Sequence, residues 1–440
     1  MMMKNILLLS LICMSVVCYG CEEHDSPNNI VKEYNNLRGE IQGVPKGMKL
    51  VWSDEFNGTG LDISKWCTQY YSTMDFREKT NYEDFLNGTL PEPGMEFTGN
   101  SLILYVDDTT PSRPYWPEVG RRISSIQTYN WKSNENLLGD KVGGYIEARI
   151  RRNATEDADL VNVAFWFDSP GPDLKYFIEE GNTALGVEGI RPHGQAYEID
   201  MCENMNTQIV LHGNVTPTGI WESNIAQYLI ERMDFKNRWV THSLLWTPTS
   251  LKFYIDGELK VEYSDPEDIK APNHFLNIYF GAYGKGGKTT MEVDYVRFYQ
   301  WSLEGNNELP NGNFEYAGEI APLEGNGSII MDNTQNGEKA LKLEPGQKVY
   351  QYVYVDSGTP YDLEYWSSGN IEVKVENIIP VRGIALDETK EEMTSTGYKQ
   401  GQICFVSKSE KSINKATVKV SLTNTGKMDA FVDNLVLRKK

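Results

Sequence analysis

Three carboxylates, Glu198, Asp200 and Glu203, fall within six residues of one strand-like segment. Like charges that share a sheet face repel each other, so such crowding is costly unless it serves a purpose. Hydrolysis of a glycosidic bond is one such purpose. It needs an ionised carboxylate to attack the anomeric carbon and a second carboxyl group that holds a proton for the leaving oxygen. The alternative is a solvated acidic edge strand, because three acidic positions at this spacing also arise by chance.

The spacing of these carboxylates makes a structural prediction. In a regular strand residues 198, 200 and 202 share one face, and residue 203 points to the other. Glu203 joins Glu198 and Asp200 only if a β-bulge adds one residue between 200 and 203. A catalytic role for all three residues therefore predicts a bulge in this strand.

Short strand-like runs separated by turn residues must position these groups. Residues 252–261 contain an Asp-Gly pair between two alternating runs, which predicts a two-residue hairpin. Long helix-period segments are scarce, and residues 225–233 are the one candidate for a short helix. These patterns predict an all-β fold of sandwich type. Two long irregular stretches, about 69–98 and 168–195, are expected to be functional loops.

The chain is long enough for two folded units, and a polar spacer near residue 303 separates two β-rich regions. We expect a signal peptide over 1–20, a tether over 21–45, a first sandwich over 46–302 and a second, smaller β-sandwich over 303–440.

The amino-acid composition limits the classes of binding partner and cofactor that we expect. The formal net charge of −20 excludes nucleic acid as a favoured partner, since phosphates would be repelled. The 25 Tyr and 10 Trp supply rings that either stack on sugars or fill the core. Five His and six Cys leave little material for a metal site, so we expect catalysis without a metal or other cofactor. We also expect a monomer.

The N-terminus is typical of an export signal, with Lys4 before an apolar run over 6–17 that is too short to span a bilayer. It resembles a bacterial lipoprotein signal with cleavage after Gly20 and lipidation of Cys21. Tyr19 fits that pattern poorly, so cleavage by an ordinary signal peptidase is the alternative. The prediction is an exported outer-membrane or cell-surface lipoprotein, facing outside or the periplasm, that meets the membrane only through its lipid anchor.

Several segments together resemble glycoside hydrolase family sixteen, the laminarinase, agarase and carrageenase group. The matching segments appear in the family's order, and they are residues 50–58 with 61–66, 144–150, 164–167, 198–203, 246–248, 254–257 and 293–299.

This resemblance implies a concanavalin-A-like jelly roll of two sheets with an open cleft. It implies Glu198 as nucleophile, Asp200 as its partner, and Glu203 as acid and base in a retaining, endo-acting hydrolysis of a β-linked polysaccharide. Trp166 would stack on a sugar ring, with a buried core ring as the alternative. Cys202 is expected to face the sheet interior as a small apolar residue.

Further substrate contacts are predicted at His212, Asn214, Trp221 and Trp116, although structural hydrogen bonds or packing are equally compatible with these residues. Glucan-cutting members often carry a Trp where this chain has Asn162. This departure favours a β-galactan or a host-type glycan over a β-glucan.

Two further expectations come from resemblance. Asp294 lies where family members often place a ligand of a structural Ca²⁺. The edges of the C-terminal region, residues 310–315 and 432–437, resemble jelly-roll carbohydrate-binding modules. There, Tyr361, Tyr365 and Trp366 are candidates for sugar stacking, with core packing as the alternative.

Two other functions stay open on the same fold. One is a non-catalytic glycan-binding surface lipoprotein, because sandwich folds host lectins as well as hydrolases. The other is a transglycosylase, in which a second sugar replaces water.

Overall fold

The computed structural model of the chain describes residues 43–68, 90–112, 120–130, 133, 135–139, 141–168, 183–184, 187–188, 198–203, 208–212, 214–215, 221–222, 226–229, 235–265, 275–316, 320–380, 383–408 and 415–440. No α-helix occurs among these residues, so the predicted all-β class is confirmed. None of the described segments forms a helix with the length and hydropathy that crossing a bilayer requires.

Among the described residues, twenty strands precede residue 302. In chain order they are β1 (Met48–Asp54), β2 (Gly94–Phe97), β3 (Leu102–Val106), β4 (Arg122–Gln127), β5 (Tyr129–Asn130), β6 (Glu135–Asn136), β7 (Gly144–Ala154), β8 (Asn162–Asp168), β9 (Thr183–Ala184), β10 (Val187–Glu188), β11 (Glu198–Cys202), β12 (Gln208–His212), β13 (Asn214–Val215), β14 (Trp221–Glu222), β15 (Ala226–Leu229), β16 (Trp239–Trp246), β17 (Leu251–Ile255), β18 (Glu258–Tyr263), β19 (Asn277–Gly284) and β20 (Thr289–Trp301).

These strands build two antiparallel sheets of a jelly-roll sandwich. Sheet A has the order β18-β17-β16-β7-β20-β3-β2, with β1 also paired to β20. Sheet B has the order β15-β12-β11-β8-β19-β4. The short pairs β5–β6, β9–β10 and β13–β14 lie outside both sheets.

Alternation along the strands forms the core between the two sheets. Ile146 and Ile150 of β7 and Phe165 and Phe167 of β8 belong to one buried cluster. Residues between them point to the opposite face of their sheet, because side chains in a strand alternate. A one-residue slip would expose every one of these apolar groups, so burial holds the register of each strand.

Two local predictions have opposite outcomes. The hairpin is confirmed, since β17 and β18 are joined by Asp256 and Gly257 with φ values of 48° and 78°, as a tight primed turn requires. The short helix over 225–233 is wrong for residues 226–229, which form β15 at the edge of sheet B and pair with β12. Tertiary pairing overrides a weak local helix preference there.

The region after residue 302 forms the predicted second sandwich. Its strands are β21 (Glu324–Gly325), β22 (Ser328–Ile330), β23 (Ala340–Leu343), β24 (Lys348–Asp356), β25 (Pro360–Ile379), β26 (Ile384–Val406), β27 (Lys415–Asn424) and β28 (Ala430–Lys439). The long strand β25 pairs with β28 along its first half and with β27 along its second half. Gly369, at a φ of 95°, lies between the two halves.

The second sandwich has a core of its own. Tyr361 and Tyr365 are fully buried in it, so they pack inside the domain rather than stack on sugar. Trp366, the residue after Tyr365, is half-buried on the other face of β25. The core-packing alternative is therefore the one observed for both tyrosines.

The two sandwiches meet through tyrosines of the second one. Tyr354 packs against the core of the first sandwich, and a Cβ on Gly143 would lie 2.6 Å from its ring. The Tyr316 hydroxyl donates a hydrogen bond to the Ser302 carbonyl oxygen. A glycine at 143 is thus required by this close approach as well as by its φ of 69°.

Candidate active site

The predicted bulge lies in β11. Glu198 pairs with Asp168 and Asp200 with Trp166 of β8, but Cys202 pairs with Phe165, so the register shifts between Asp200 and Cys202. One extra residue on β11 reverses the alternation beyond it. The bulge that a catalytic role for Glu203 requires is therefore confirmed.

The bulge determines which side chains of β11 face the core between the sheets and which lie on the opposite face of sheet B. Ile199, Met201 and Cys202 are buried in the core between the sheets, which confirms the expected interior position of Cys202. Asp200 is 3% exposed, and Glu203 is half-buried at the end of the strand. The Asn162 Nδ2 group donates a hydrogen bond of 2.8 Å to Glu203 Oε1.

Asp200 has a strongly perturbed proton affinity. Burial raises the pKa of its carboxyl well above the usual range, and the nearby charge of Glu203 raises it further. A neutral Asp200 is able to donate a hydrogen bond along the strand. Crowded carboxylates of this kind are suited to share and move protons.

Trp166 lies at the predicted wall but is only 2% exposed. Its ring stacks on Tyr279 with centroids 5.1 Å apart, and Tyr283 follows at 6.1 Å. With Ile123 and Ala164 these rings form a cluster separate from the core between the sheets. The ring is covered by protein in this conformation, so stacking on a sugar stays a prediction.

The sequence analysis did not single out Tyr279 and Tyr283. They lie four residues apart on one face of β19, opposite Trp166 and Asn162 of β8. Their period-two spacing was a usable signal, but the pairing of β19 with β8 was needed to assign them to this face.

The other predicted substrate contacts are only partly located. His212 on β12 pairs with Glu198, which puts its backbone beside the catalytic strand. Asn214 and Trp221 belong to the small β13–β14 pair, where Trp221 lies opposite Val215. Their side chains, and the whole of Trp116 and Cys21, lie outside the described residues. These roles stay predictions.

The surroundings of Asp294 do not fit a calcium site. Its Oδ2 atom accepts a hydrogen bond of 2.6 Å from Arg149 Nη1, so a guanidinium already neutralises the carboxylate. Among the described residues no group of three or more His, Cys, Asp or Glu side chains is arranged to hold a metal. The Ca²⁺ prediction therefore gains no support from the donor set at this position.

Comparison with known proteins supports the resemblance to glycoside hydrolase family sixteen. Residues 183–301 match the family model described as "Glycosyl hydrolases family 16", and this stretch contains all three carboxylates of the site. The chain is a glycoside hydrolase that acts on O-glycosyl bonds.

Two relatives are similar to this chain. A "Keratan-sulfate endo-1,4-beta-galactosidase" from Sphingobacterium multivorum is 22% identical over 437 aligned positions, covering 91% of each chain. A "Glucan endo-1,3-beta-glucosidase A1" from Niallia circulans is 25% identical over 292 positions, covering 58% of this chain and 38% of that protein.

Among solved structures, one similar chain is described as a "GlcNAc[alpha]1-4Gal releasing endo-[beta]-galactosidase from Clostridium perfringens". It has a TM-score of 0.41 and 19% identity, and the match covers 72% of this chain and 81% of that one.

Proposed function

We propose that this glycoside hydrolase is an endo-acting, retaining β-glycosidase in which Glu198 is the nucleophile, Asp200 its partner and Glu203 the general acid and base. The bulge in β11 carries this proposal, because it reverses the strand's alternation between Asp200 and Glu203. Without the bulge, Glu203 would point into the core between the sheets.

The proposed reaction has two balanced steps. In the first, a Glu198 carboxylate oxygen bonds to the anomeric carbon as the bond to the leaving oxygen breaks, and that oxygen takes the proton of Glu203. In the second, water attacks the anomeric carbon, Glu198 leaves, and the water proton returns to Glu203. Burial and the nearby charge of Glu203 raise the pKa of Asp200, which favours its protonated form, and that form can donate a hydrogen bond that orients the nucleophile.

Stereochemistry tests this mechanism. Retention requires the two carboxyl groups about 5–5.5 Å apart, whereas inversion needs room for a water between them. Proton NMR of the first product, recorded before mutarotation, should show the β-anomer from a β-linked substrate. The α-anomer appearing first would overturn the mechanism.

For the substrate, we propose a galactose-containing, β-linked glycan of host type. Two observations support it: the keratan-sulfate relative aligns over 91% of both chains, and Asn162 stands where glucan-cutting members often carry Trp. A β-1,3-glucan is the second candidate, since the glucanase relative also matches, over 58% of this chain.

A polysaccharide screen separates the candidates. Purified protein is incubated with keratan sulfate, mucin glycans, agarose, porphyran, carrageenan, laminarin and mixed-linkage glucan, and products are sized. We expect oligosaccharides of intermediate size from keratan sulfate or mucin glycans. Cleavage of laminarin alone would sink the galactan proposal, and longer products formed with an added acceptor oligosaccharide would identify a transglycosylase.

We further propose that the mature protein is an outer-membrane or cell-surface lipoprotein anchored at Cys21, with no metal required for turnover. Labelling with a radioactive or alkyne fatty acid, compared between the parent and Cys21→Ser, tests the anchor. Equal labelling of both proteins would contradict it.

A further inference from the structure

Glu203 lies in an unusual position for a residue whose carboxyl group must transfer a proton to the glycosidic oxygen. The last residue of β11 is Cys202, so Glu203 is one residue beyond the strand and follows the bulge. Ladder hydrogen bonds hold the backbone of a strand in place, but they end before this residue. The orientation of its carboxyl group therefore depends on contacts of the side chain itself.

Asn162 provides such a contact. Its Nδ2 group donates a hydrogen bond of 2.8 Å to Glu203 Oε1, and both residues are half-buried. Asn162 opens β8, which lies between β11 and β19 in the middle of sheet B. At Asn162 the backbone of β8 is paired with Tyr283 of β19, so this pairing supports the amide that contacts the carboxyl group.

The amide donor also suits a group that must carry a proton in one step and lose it in the next. A guanidinium or ammonium beside Glu203 would favour its ionised form, because an opposite charge stabilises a carboxylate. An amide brings no full charge, and it occupies one carboxyl oxygen while the other remains able to carry the proton.

We propose that Asn162 is a positioning residue for the general acid and base: it holds Glu203 Oε1 and thereby directs the other carboxyl oxygen to the glycosidic oxygen. This inference rests on the proposed role of Glu203. It adds a named partner that sets the orientation of that group.

Other charged or titratable groups surround this contact and enter any pH profile. The described ones include Glu198, Asp200 and the Cys202 thiol on the same strand. They also include Arg152, which acts on Cys202 from sheet A, and Tyr283 opposite Asn162, with the Arg121 guanidinium 5.9 Å from its ring centroid.

The test compares kcat and kcat/KM as functions of pH for the parent and four variants, on the polysaccharide that gives the most product in the screen. Asn162→Ala should lower kcat by up to about 100-fold with little change in KM, because a small misplacement of a catalytic group costs this much. The basic limb of kcat/KM should move to higher pH, since the ionised carboxyl group loses a donor.

Asn162→Asp is the more informative variant. It keeps the shape of the side chain and replaces the hydrogen-bond donor with a negative charge beside Glu203. It should move the basic limb of kcat/KM to a higher pH than Asn162→Ala does. Asn162→Gln restores an amide and should recover part of kcat. Asn153→Ala, an exposed asparagine on β7 of sheet A, is the matched control and should keep the parent profile.

Two results would overturn the inference. One is a basic limb that stays at the parent pH in both Asn162→Ala and Asn162→Asp, even if these variants lose stability. The other is full kcat in Asn162→Ala.

Glu203→Gln separates this inference from the proposed function. If Glu203→Gln cleaves the polysaccharide like the parent, the role of Glu203 itself is wrong. If Glu203→Gln is inactive while the Asn162 variants keep the parent profile, only the positioning role fails.

Discussion

Buried carboxylates occur in both sheets of the catalytic sandwich, but their neighbours differ. In sheet A, Glu55 accepts two hydrogen bonds from the Arg297 guanidinium, at 2.8 and 2.9 Å. Glu147 lies 3.6 Å from the same guanidinium and is fully buried. In sheet B, the charge that acts on buried Asp200 is a second carboxylate, Glu203, and Glu203 itself receives a neutral amide from Asn162.

Both environments raise a carboxyl pKa, yet only one is suited to proton transfer. Burial raises the pKa of Glu147 to about 7, against the opposing effect of Arg297. Burial and Glu203 raise the pKa of Asp200. A raised pKa alone therefore does not identify a catalytic carboxyl group. A carboxylate held by a fixed cation stabilises a structure, whereas neighbouring carboxylates that share protons can perform acid–base chemistry.

The largest loss of kcat should come from Glu198→Gln. The amide keeps the shape but cannot attack the anomeric carbon, so kcat should fall by more than about 10³-fold. Thermal unfolding and glycan binding should stay near those of the parent. Activity within tenfold of the parent would remove Glu198 from the site and with it the contrast between the two sheets.

Asp200→Asn should have a smaller effect on turnover, a fall in kcat of about 10²-fold, because it removes a proton-sharing partner rather than the nucleophile. The free energy of unfolding of Asp200→Asn should instead be higher than that of the parent. The folded-state pKa of Asp200 is raised, so its contribution to stability is complete below its ordinary pKa and is lost as pH rises through the raised value.

Urea unfolding at several pH values measures this change. The free energy of unfolding of Asp200→Asn should exceed that of the parent by a margin that grows with pH. A margin that shrinks with pH would mean that Asp200 is ionised and stabilised in the folded protein.

Glu147→Gln should have the smallest effect on catalysis and sharpen the comparison as a matched Glu-to-Gln control. Its folded-state pKa of about 7 lies above the ordinary value of 4.5, so the parent loses stability as pH rises across that interval. This loss amounts to up to about 3 kcal/mol, and it should be absent from the variant.

The measurement is urea unfolding at about pH 5 and about pH 8, with kcat determined on folded protein in parallel. We expect kcat near that of the parent. A loss of kcat like that of Glu198→Gln, at unchanged stability, would contradict the assignment of a structural role to sheet A.

Periodicity and local motifs made much of the fold predictable. Alternating runs without helical periodicity predicted an all-β sandwich, and the Asp256-Gly257 pair predicted the β17–β18 hairpin. Both depend on a few neighbouring residues, which is why they can be read directly. The helix prediction for residues 226–229 was wrong because an edge strand forms by pairing with another strand. That partner, β12, lies elsewhere in the chain.

The candidate site was predictable in part. The spacing of Glu198, Asp200 and Glu203 required a bulge, and the register of β11 against β8 contains it. The covered position of Trp166 against Tyr279 was not predictable, because it depends on which strand lies beside β8. The same holds for Asp294, whose sequence position resembles a calcium ligand but whose neighbour on β7 is Arg149.

The sequence by itself determined the candidate catalytic groups and the condition under which they can act together: three carboxylates at positions that meet on one face only with one extra residue. Tertiary structure alone decided which partner each carboxylate received. Proton affinity depends on burial and on charges within a few ångströms. Those charges come from strands far apart in the chain, so an amide from residue 162 meets Glu203 and a guanidinium from residue 297 meets Glu147.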